Sequence, residues 1–375
     1  MRWPAALLMW GGLMLSSVFG QDRIKSDERV VFFPTAGTWN DETREWTADI
    51  HGWIYEPEVN DFLRRQLTER ILAVMGRGRD WDDATEERLR GRISRFLYDN
   101  ERSKQLRITI GEAACDLEPS AADGHFTGQV RIPEAVRGNP GRDGTIEFRL
   151  LESGEQEIRG TIHLLAPRGL SIVSDVDDTI KVSDVRNRQR LLERTFLEEF
   201  VPVEGMAALY RDLADRGATI HYLSNSPCQL YFDLEAFRAE HRFPAGTWSL
   251  NRFRLKDPGS WDRMLTPEVS KGTRIEALLR RFPGRQFVLV GDSGERDPEI
   301  YGELARTFPE QVRQVWIRSV DETVDREAPR FTAAFREVPA DRWILFRDPA
   351  VLKESPFVRT LRETAPVPAP SGGPR

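Results

Sequence analysis

From Gly169 onward, short apolar runs alternate with amphipathic ones, and no other feature constrains this chain so tightly. The apolar runs Leu170–Ser174, 218–224, 286–290 and 312–317 have strand length. Amphipathic stretches near 187–200, 205–216, 227–241, 271–282 and 297–308 read as helices, the second closed by Gly217. Such alternation predicts an α/β fold, a Rossmann-like doubly wound parallel sheet with helices on both faces. In that architecture ligands bind outside the carboxyl ends of the strands.

The strand ends carry polar clusters. Asp175-Val176-Asp177-Asp178-Thr179 follows the first run and Ser224-Asn225-Ser226-Pro227 the second. Gly291-Asp292-Ser293-Gly294-Glu295-Arg296-Asp297 follows the third, and Lys271 opens the helix before it. All four pieces are expected on one rim. Carboxylates gathered there repel one another unless a cation lies among them. Hard oxygen ligands on few side chains suit Mg2+, which keeps waters and completes its shell with substrate phosphate. Asp175 and Asp177, two apart at an extended strand end, can reach one substrate: one to attack phosphorus, the other to handle the leaving-group proton. Mg2+ and Lys271 would offset the charge of the anionic phosphate. Ser224, Asn225 and the adjacent amides would hold phosphate oxygens. Asp292 would complete the metal site, with Asp297 as a ligand or as the Lys271 partner. Each piece alone is a weak signal, because acidic loops are usually solvated, Ser-Asn can cap a helix and a lone lysine is usually at the surface. Four pieces in this order are a strong one.

Together these segments resemble the four motifs of the haloacid dehalogenase superfamily of phosphatases. Ser-Asp-Val-Asp-Asp-Thr-Ile-Lys (174–181), Tyr-Leu-Ser-Asn-Ser-Pro (222–227) and Leu289 to Tyr301, ending Asp-Pro-Glu-Ile-Tyr, resemble more closely the actin-patch type phosphatidate phosphatases, a family with bacterial members. The resemblance covers roughly residues 167–320. It implies Asp175 as nucleophile of an aspartyl-phosphate intermediate, Asp177 as acid and base, Ser224 and Lys271 on phosphate, and Asp175 with Asp292 on Mg2+; Asp177 and Asp297 stand as further candidate ligands. The implied substrate is phosphatidate, converted to diacylglycerol, which would bring the protein into peripheral contact with a membrane. Val-Val-Phe-Phe-Pro (30–34) and Gly-Trp-Ile-Tyr-Glu (52–56) resemble bacterial members less specifically, and Cys228 stands where tryptophan is expected. About fifty residues separate Asp175 from Ser224, and a similar number Ser224 from Lys271, so neither gap holds a large cap. A site without a lid is open to bulky or interfacial substrates. Two alternatives stand: a phosphatase of another phosphomonoester, and a non-catalytic lipid-binding module on the same fold. The presence of both Asp175 and Asp177 favours the enzyme.

Upstream the apolar period is two. Leu106, Ile108 and Ile110, then Val130 and Ile132, then Ile146, Phe148 and Leu150, then Ile158, Ile162 and Leu164 alternate with polar residues between turn signals. This predicts antiparallel strands with one buried face, joined by strand candidates at 29–34 and 46–55. Two helices interrupt them, one capped by Asn60 and carrying Leu63, Leu67, Ile71 and Val74, the other carrying Leu89, Ile93, Phe96 and Leu97. Residues 21–166 are therefore expected to form a β-rich domain with a helical insertion, 167–364 the catalytic domain, and the Pro-rich 365–375 a disordered tail.

The start, with Arg2, an apolar run from Ala5 to Leu15 and small residues before Gln21, reads as a secretory signal peptide over 1–20 and predicts export, periplasmic or secreted. An uncleaved membrane anchor is the alternative, although the run is short for a span. The net charge of −6 lacks the basic face of a nucleic-acid binder. Cys115 and Cys228 are the only cysteines and are expected as two separate buried thiols. Gly-Asp-Ser-Gly at 291–294 also occurs around serine-protease nucleophiles, but here it ends a parallel strand. Trp46, Trp53, Trp81 and Trp248 read as core before they read as a ligand surface. Oligomeric state is silent in the sequence.

Overall fold

The computed structural model describes residues 24–76, 78, 80–133, 143–151, 157–253, 270–322 and 325–364. The expected leader over 1–20 and tail over 365–375 lie outside the described residues.

The first half is built on one sheet: β1 (Arg29–Phe33), β2 (Thr35–Asn40), β3 (Glu45–Glu56), β4 (Asp99–Asn100), β5 (Arg107–Ile110), β6 (Ala113–Asp116), β7 (His125–Pro133), β8 (Gly144–Leu150) and β9 (Arg159–Leu165). Strand β3 is its spine. β7 lies antiparallel along residues 45–53, and β1 and β2 share the other edge. They are separated by Pro34, which has no amide to donate. β2 runs parallel to β9, a departure from the antiparallel expectation, and the alternation within each strand could not reveal it. The inner face buries Phe32, Trp46, Ile50, Ile108, Val130 and Phe148.

Helices α1 (Asp61–Met75) and α2 (Asp83–Leu97) follow β3. The Asn60 side chain accepts from the amides of Phe62 and Leu63, and Gly76, at φ 64°, ends α1 in the left-handed conformation. Their apolar faces do not close on the β-rich interior. Leu67, Ile71, Leu89, Ile93 and Phe96 join the apolar cluster beneath the second sheet.

That second sheet has six strands: β10 (Leu170–Ser174), β11 (Ala218–Pro227), β12 (Gly246–Asn251), β13 (Gln286–Asp292), β14 (Val312–Arg318) and β15 (Trp343–Phe346). Their order is β12-β11-β10-β13-β14-β15, and every pairing is parallel. Helices α3 (Arg188–Phe196), α4 (Met206–Asp215) and α5 (Tyr231–Glu240) cover one face; α6 (Lys271–Arg281), α7 (Asp297–Thr307) and α8 (Pro329–Ala334) cover the other. Two short helices, α9 (Ala350–Lys353) and α10 (Pro356–Thr364), follow β15. The expected helices are present with trimmed ends. The edge strands β12 and β15 were not read from the sequence, because Gly-Thr-Trp-Ser-Leu-Asn and Trp-Ile-Leu-Phe are short and carry no distinctive period. Strand order reverses between β10 and β13, the position where a doubly wound sheet opens its ligand crevice.

Arg285 ties the two sheets together. Its buried guanidinium donates to both Asp143 carboxylate oxygens at 2.8 Å and to the carbonyls of Ala166 and Leu170. Nearby, burial holds His163 down to about 4 and His221 to about 3. A neutral buried histidine contributes stability that is fully present above the unfolded pKa near 6.5 and lost as pH falls toward the folded value. For His163 that window runs from pH 6.5 to 4, at about 1.4 kcal/mol per pH unit. The difference in denaturant stability between the native chain and His163→Gln should therefore shrink by roughly 2 kcal/mol between pH 6.5 and 5. A pH-independent difference defeats this.

Cys115, half-buried rather than buried, and buried Cys228 are both free. Trp46, Trp53 and Trp248 are buried and half-buried Trp81 packs on the same cluster as α1, so the core reading of the tryptophans holds. No helix among the described residues is long and apolar enough to cross a membrane.

Candidate active site

Adjacent parallel strands bring the first acidic groups together. Ser174 of β10 pairs with Val290 of β13, and the Asp175 amide donates to the Val290 carbonyl at 2.8 Å. Asp175 and Asp292 thus leave neighbouring strand ends, and α7 brings Asp297 back over them. These three buried carboxylates each offer an oxygen within 4.8 Å of the others. Gly291 permits this return, since a Cβ there would collide with the Asp297 carboxylate and the Tyr301 ring.

Lys271, the first residue of α6 behind its N-cap Ser270, projects its ammonium into the group. Its Nζ donates to Asp175 Oδ1 at 2.8 Å, Asp297 Oδ1 at 2.6 Å and Glu295 Oε2 at 3.2 Å. Asp175 Oδ2 accepts from Thr179 at 3.0 Å. Asp292 Oδ1 accepts from the Gly294 and Glu295 amides, whereas buried Asp292 Oδ2 has no hydrogen-bond partner. One ammonium faces Asp175, Asp292, Glu295 and Asp297. Burial and the mutual repulsion of these groups outweigh Lys271 and push the Asp175 and Asp292 carboxyls well above the usual range. An excess of negative charge with an orphaned carboxylate oxygen fits a divalent cation. Asp297 was expected as a ligand or as the Lys271 partner; it is placed to be both.

Asp177 stands apart from that group. Its Oδ1 meets Lys181 Nζ and Ser183 Oγ, each at 2.7 Å, and its Oδ2 accepts from Ser226 at 3.0 Å and Ser224 at 3.2 Å. It was expected as a further metal ligand; among the described residues the acidic group consists of Asp175, Asp292 and Asp297, and the Asp177 side chain turns toward Ser224 and Ser226 of β11. Burial raises its pKa, but the Lys181 charge and the hydrogen bonds outweigh burial and hold the carboxyl at about 2. Buried Ser224 also accepts from the Ser226 amide at 2.9 Å, and Asn225 lies at 3.4 Å from Glu295. The predicted residues therefore form two connected pockets of charge, with Glu295 between them.

Several participants were not singled out from the sequence. Lys181, one helical turn's spacing beyond Asp177, Ser183 and Ser226 hold the Asp177 carboxylate. Arg274 donates to the Ser224 carbonyl at 3.1 Å and to Asn225 Oδ1 at 2.9 Å, fixing the phosphate-side loop. Its three-residue spacing from Lys271 on α6 was the available signal. Asp178, at φ 53°, accepts from the amides of Ser183, Asp184 and Val185, so its carboxylate folds the loop rather than facing the site. Burial lifts the Cys228 thiol to about 12, which removes it as a nucleophile, and Ser293 Oγ accepts from the Val320 amide.

A parallel sheet whose strand ends gather buried carboxylates around a lysine describes a class of catalytic domain, and sequence comparison names it. Residues 170–319 match the family described as phosphatidate phosphatase APP1, catalytic domain, so this segment is an APP1-type catalytic domain. An uncharacterised protein of Schizosaccharomyces pombe is 31% identical over 188 residues, covering 47% of this chain and 30% of the relative. Phosphatidate phosphatase APP1 of Saccharomyces cerevisiae is 32% identical over 163 residues, covering 41% and 26%. The chain thus spans less than a third of the length of these curated relatives. Among solved structures, a Parabacteroides merdae β-glucuronidase aligns over 78% of this chain and 34% of its own at 10% identity, with a TM-score of 0.25, too low to bear on the fold.

Proposed function

We propose that the chain is a Mg2+-dependent phosphomonoester hydrolase of the haloacid dehalogenase type, and that phosphatidate is its substrate. The observation that carries this reading is the buried meeting of Asp175, Asp292 and Asp297 around Lys271, with one Asp292 oxygen left without a partner. The reversal of strand order beneath the site supports the fold assignment. The yeast relative's printed name supports the substrate.

Asp175, Asp292 and Asp297 would hold the metal, which when bound supplies positive charge against the phosphoryl oxygens. A carboxylate oxygen of Asp175 attacks phosphorus, the phosphorus–oxygen bond to the leaving alcohol breaks, and that oxygen takes a proton from Asp177. Water then attacks phosphorus, Asp177 receives its proton, and phosphate departs with Asp175 restored. At rest Lys181 holds Asp177 as the carboxylate, the form the second half requires. An anionic substrate placed beside it raises its proton affinity, which serves the first half. Lys271 screens the approach of carboxylate to phosphate, and Ser224 with Asn225 positions phosphate oxygens under the grip of Arg274.

Phosphate release by purified protein from phosphatidate vesicles, lysophosphatidate, sugar phosphates and phosphopeptides, with and without Mg2+, tests the reading. Release from phosphatidate is expected to exceed that from sugar phosphates by at least about tenfold in kcat/KM. Equal rates would remove the lipid substrate, and no release from any member would remove the hydrolase.

A further inference from the structure

We propose that an apolar pocket beside Asp177, walled by α2 and α3, receives the hydrocarbon next to the leaving oxygen, so that residues 83–97 help select the substrate. The inference rests on the hydrolase reading for the direction in which the substrate lies.

The pocket is continuous with the site. Asp177, Asn225 and Ser226 form one end of its lining. Phe96 from α2, with Leu191, Leu192 and Phe196 from α3, forms the apolar end. Asp177 is the group placed to protonate the leaving oxygen, so whatever that oxygen carries must extend past it. Beyond Asp177, Glu295, Asn225 and Ser226 the lining offers only the Thr195 side chain as a polar partner, so a sugar or a peptide would lose most of its hydrogen bonds there. Methylenes lose nothing and leave water. The occupant with matching chemistry is the carbon chain of an amphiphilic phosphomonoester.

The wall is built before substrate arrives. Arg88 of α2 donates to the Leu197 carbonyl at 2.7 Å. Arg92, buried on the same helix, donates to the carbonyls of Thr195 at 2.7 Å and Glu198 at 2.8 Å. Thr195 lies in the last turn of α3, and Leu197 and Glu198 lie just past its end, where carbonyls lack helical partners; two guanidinium groups satisfy them. Phe96 packs on Phe196 with ring centroids 5.7 Å apart. A helix from the upstream half is thus fastened to the helix that follows Asp175, and a preformed pocket loses little ordering entropy on binding. The α2 side of this wall lies outside the intervals between the motifs, some eighty residues before Asp175.

Methyl-, butyl- and octylphosphonate, titrated calorimetrically into the full chain with Mg2+, test the pocket. Affinity should rise about fourfold per methylene over the first few carbons and then level off, so butylphosphonate should bind at least about tenfold tighter than methylphosphonate. Leu191→Asp, on the half-buried side of the wall, should flatten the series, as should Phe96→Ser if that buried substitution folds. Affinity independent of chain length, or a gradient that survives Leu191→Asp, overturns the pocket. A gradient without turnover of any phosphomonoester keeps the pocket and removes the hydrolase. Turnover without a gradient does the reverse.

Discussion

Asp175→Asn should lower phosphate release by at least about a thousandfold while the chain melts no earlier than the native protein. The substitution is isosteric and keeps an oxygen for Lys271 Nζ, which lies 2.8 Å from Asp175 Oδ1. It removes a nucleophile, because an amide oxygen cannot form a stable acyl phosphate and be restored by water. Burial and the repulsion of Asp297, Glu295 and Asp292 already press this carboxyl toward its neutral form, so a neutral amide in its place costs the fold little. Loss of activity with retained melting temperature separates chemistry from structure. If Asp175→Asn turned over substrate at the native rate, the nucleophile would have to be sought elsewhere.

Withdrawal of the divalent cation comes second in size. Chelation should reduce release by at least about a hundredfold, and Mg2+ should restore it. The same ion should stabilise the fold, because it binds the gathered carboxylates only when they are gathered. At a hundred times its dissociation constant the gain is about 2.7 kcal/mol, visible as a rise in melting temperature. Asp292→Asn should abolish that rise, since Asp292 contributes the oxygen without a partner. A melting temperature indifferent to Mg2+ in the native chain, or a rise that persists in Asp292→Asn, would show that these carboxylates do not hold the ion.

The two substitutions report on different parts of one constellation. Asp175 is shared between the proposed chemistry and the metal, so both readouts depend on it. Asp177 is not shared. Its ion pair with Lys181 and three serine hydroxyls separates it from the Asp175–Asp292–Asp297 group. That division of labour gives one carboxylate an environment that keeps it ionised, while neighbours in a crowded acidic cluster are pushed toward the neutral form. A divalent cation among Asp175, Asp292 and Asp297 would draw those carboxyls back to the ionised form that attack by Asp175 needs.

The central strands and the residues at their ends were legible because both are local. Buried parallel strands read as continuous apolar runs, and Leu170–Ser174, Gln286–Asp292 and Val312–Arg318 are buried along most of their length. Asn60 announced the start of α1, because its side chain accepts from the first amides of the helix. The strands β2, β12 and β15 are not legible in the sequence, and β9, expected among antiparallel strands, pairs in parallel with β2. A strand's direction relative to its neighbour leaves no trace in its own alternation.

From the chain alone came the types of group available, their order and their position at strand ends, since these follow from residue identity and from periods set by near neighbours. Convergence needed the tertiary structure. Strand order put β10 beside β13 and so Asp175 beside Asp292; the turn after Val176 sent Asp177 to Lys181; and α2 reached α3 across some hundred residues through Arg88 and Arg92. Such contacts depend on side-chain direction and on packing between distant segments, and no local period encodes either.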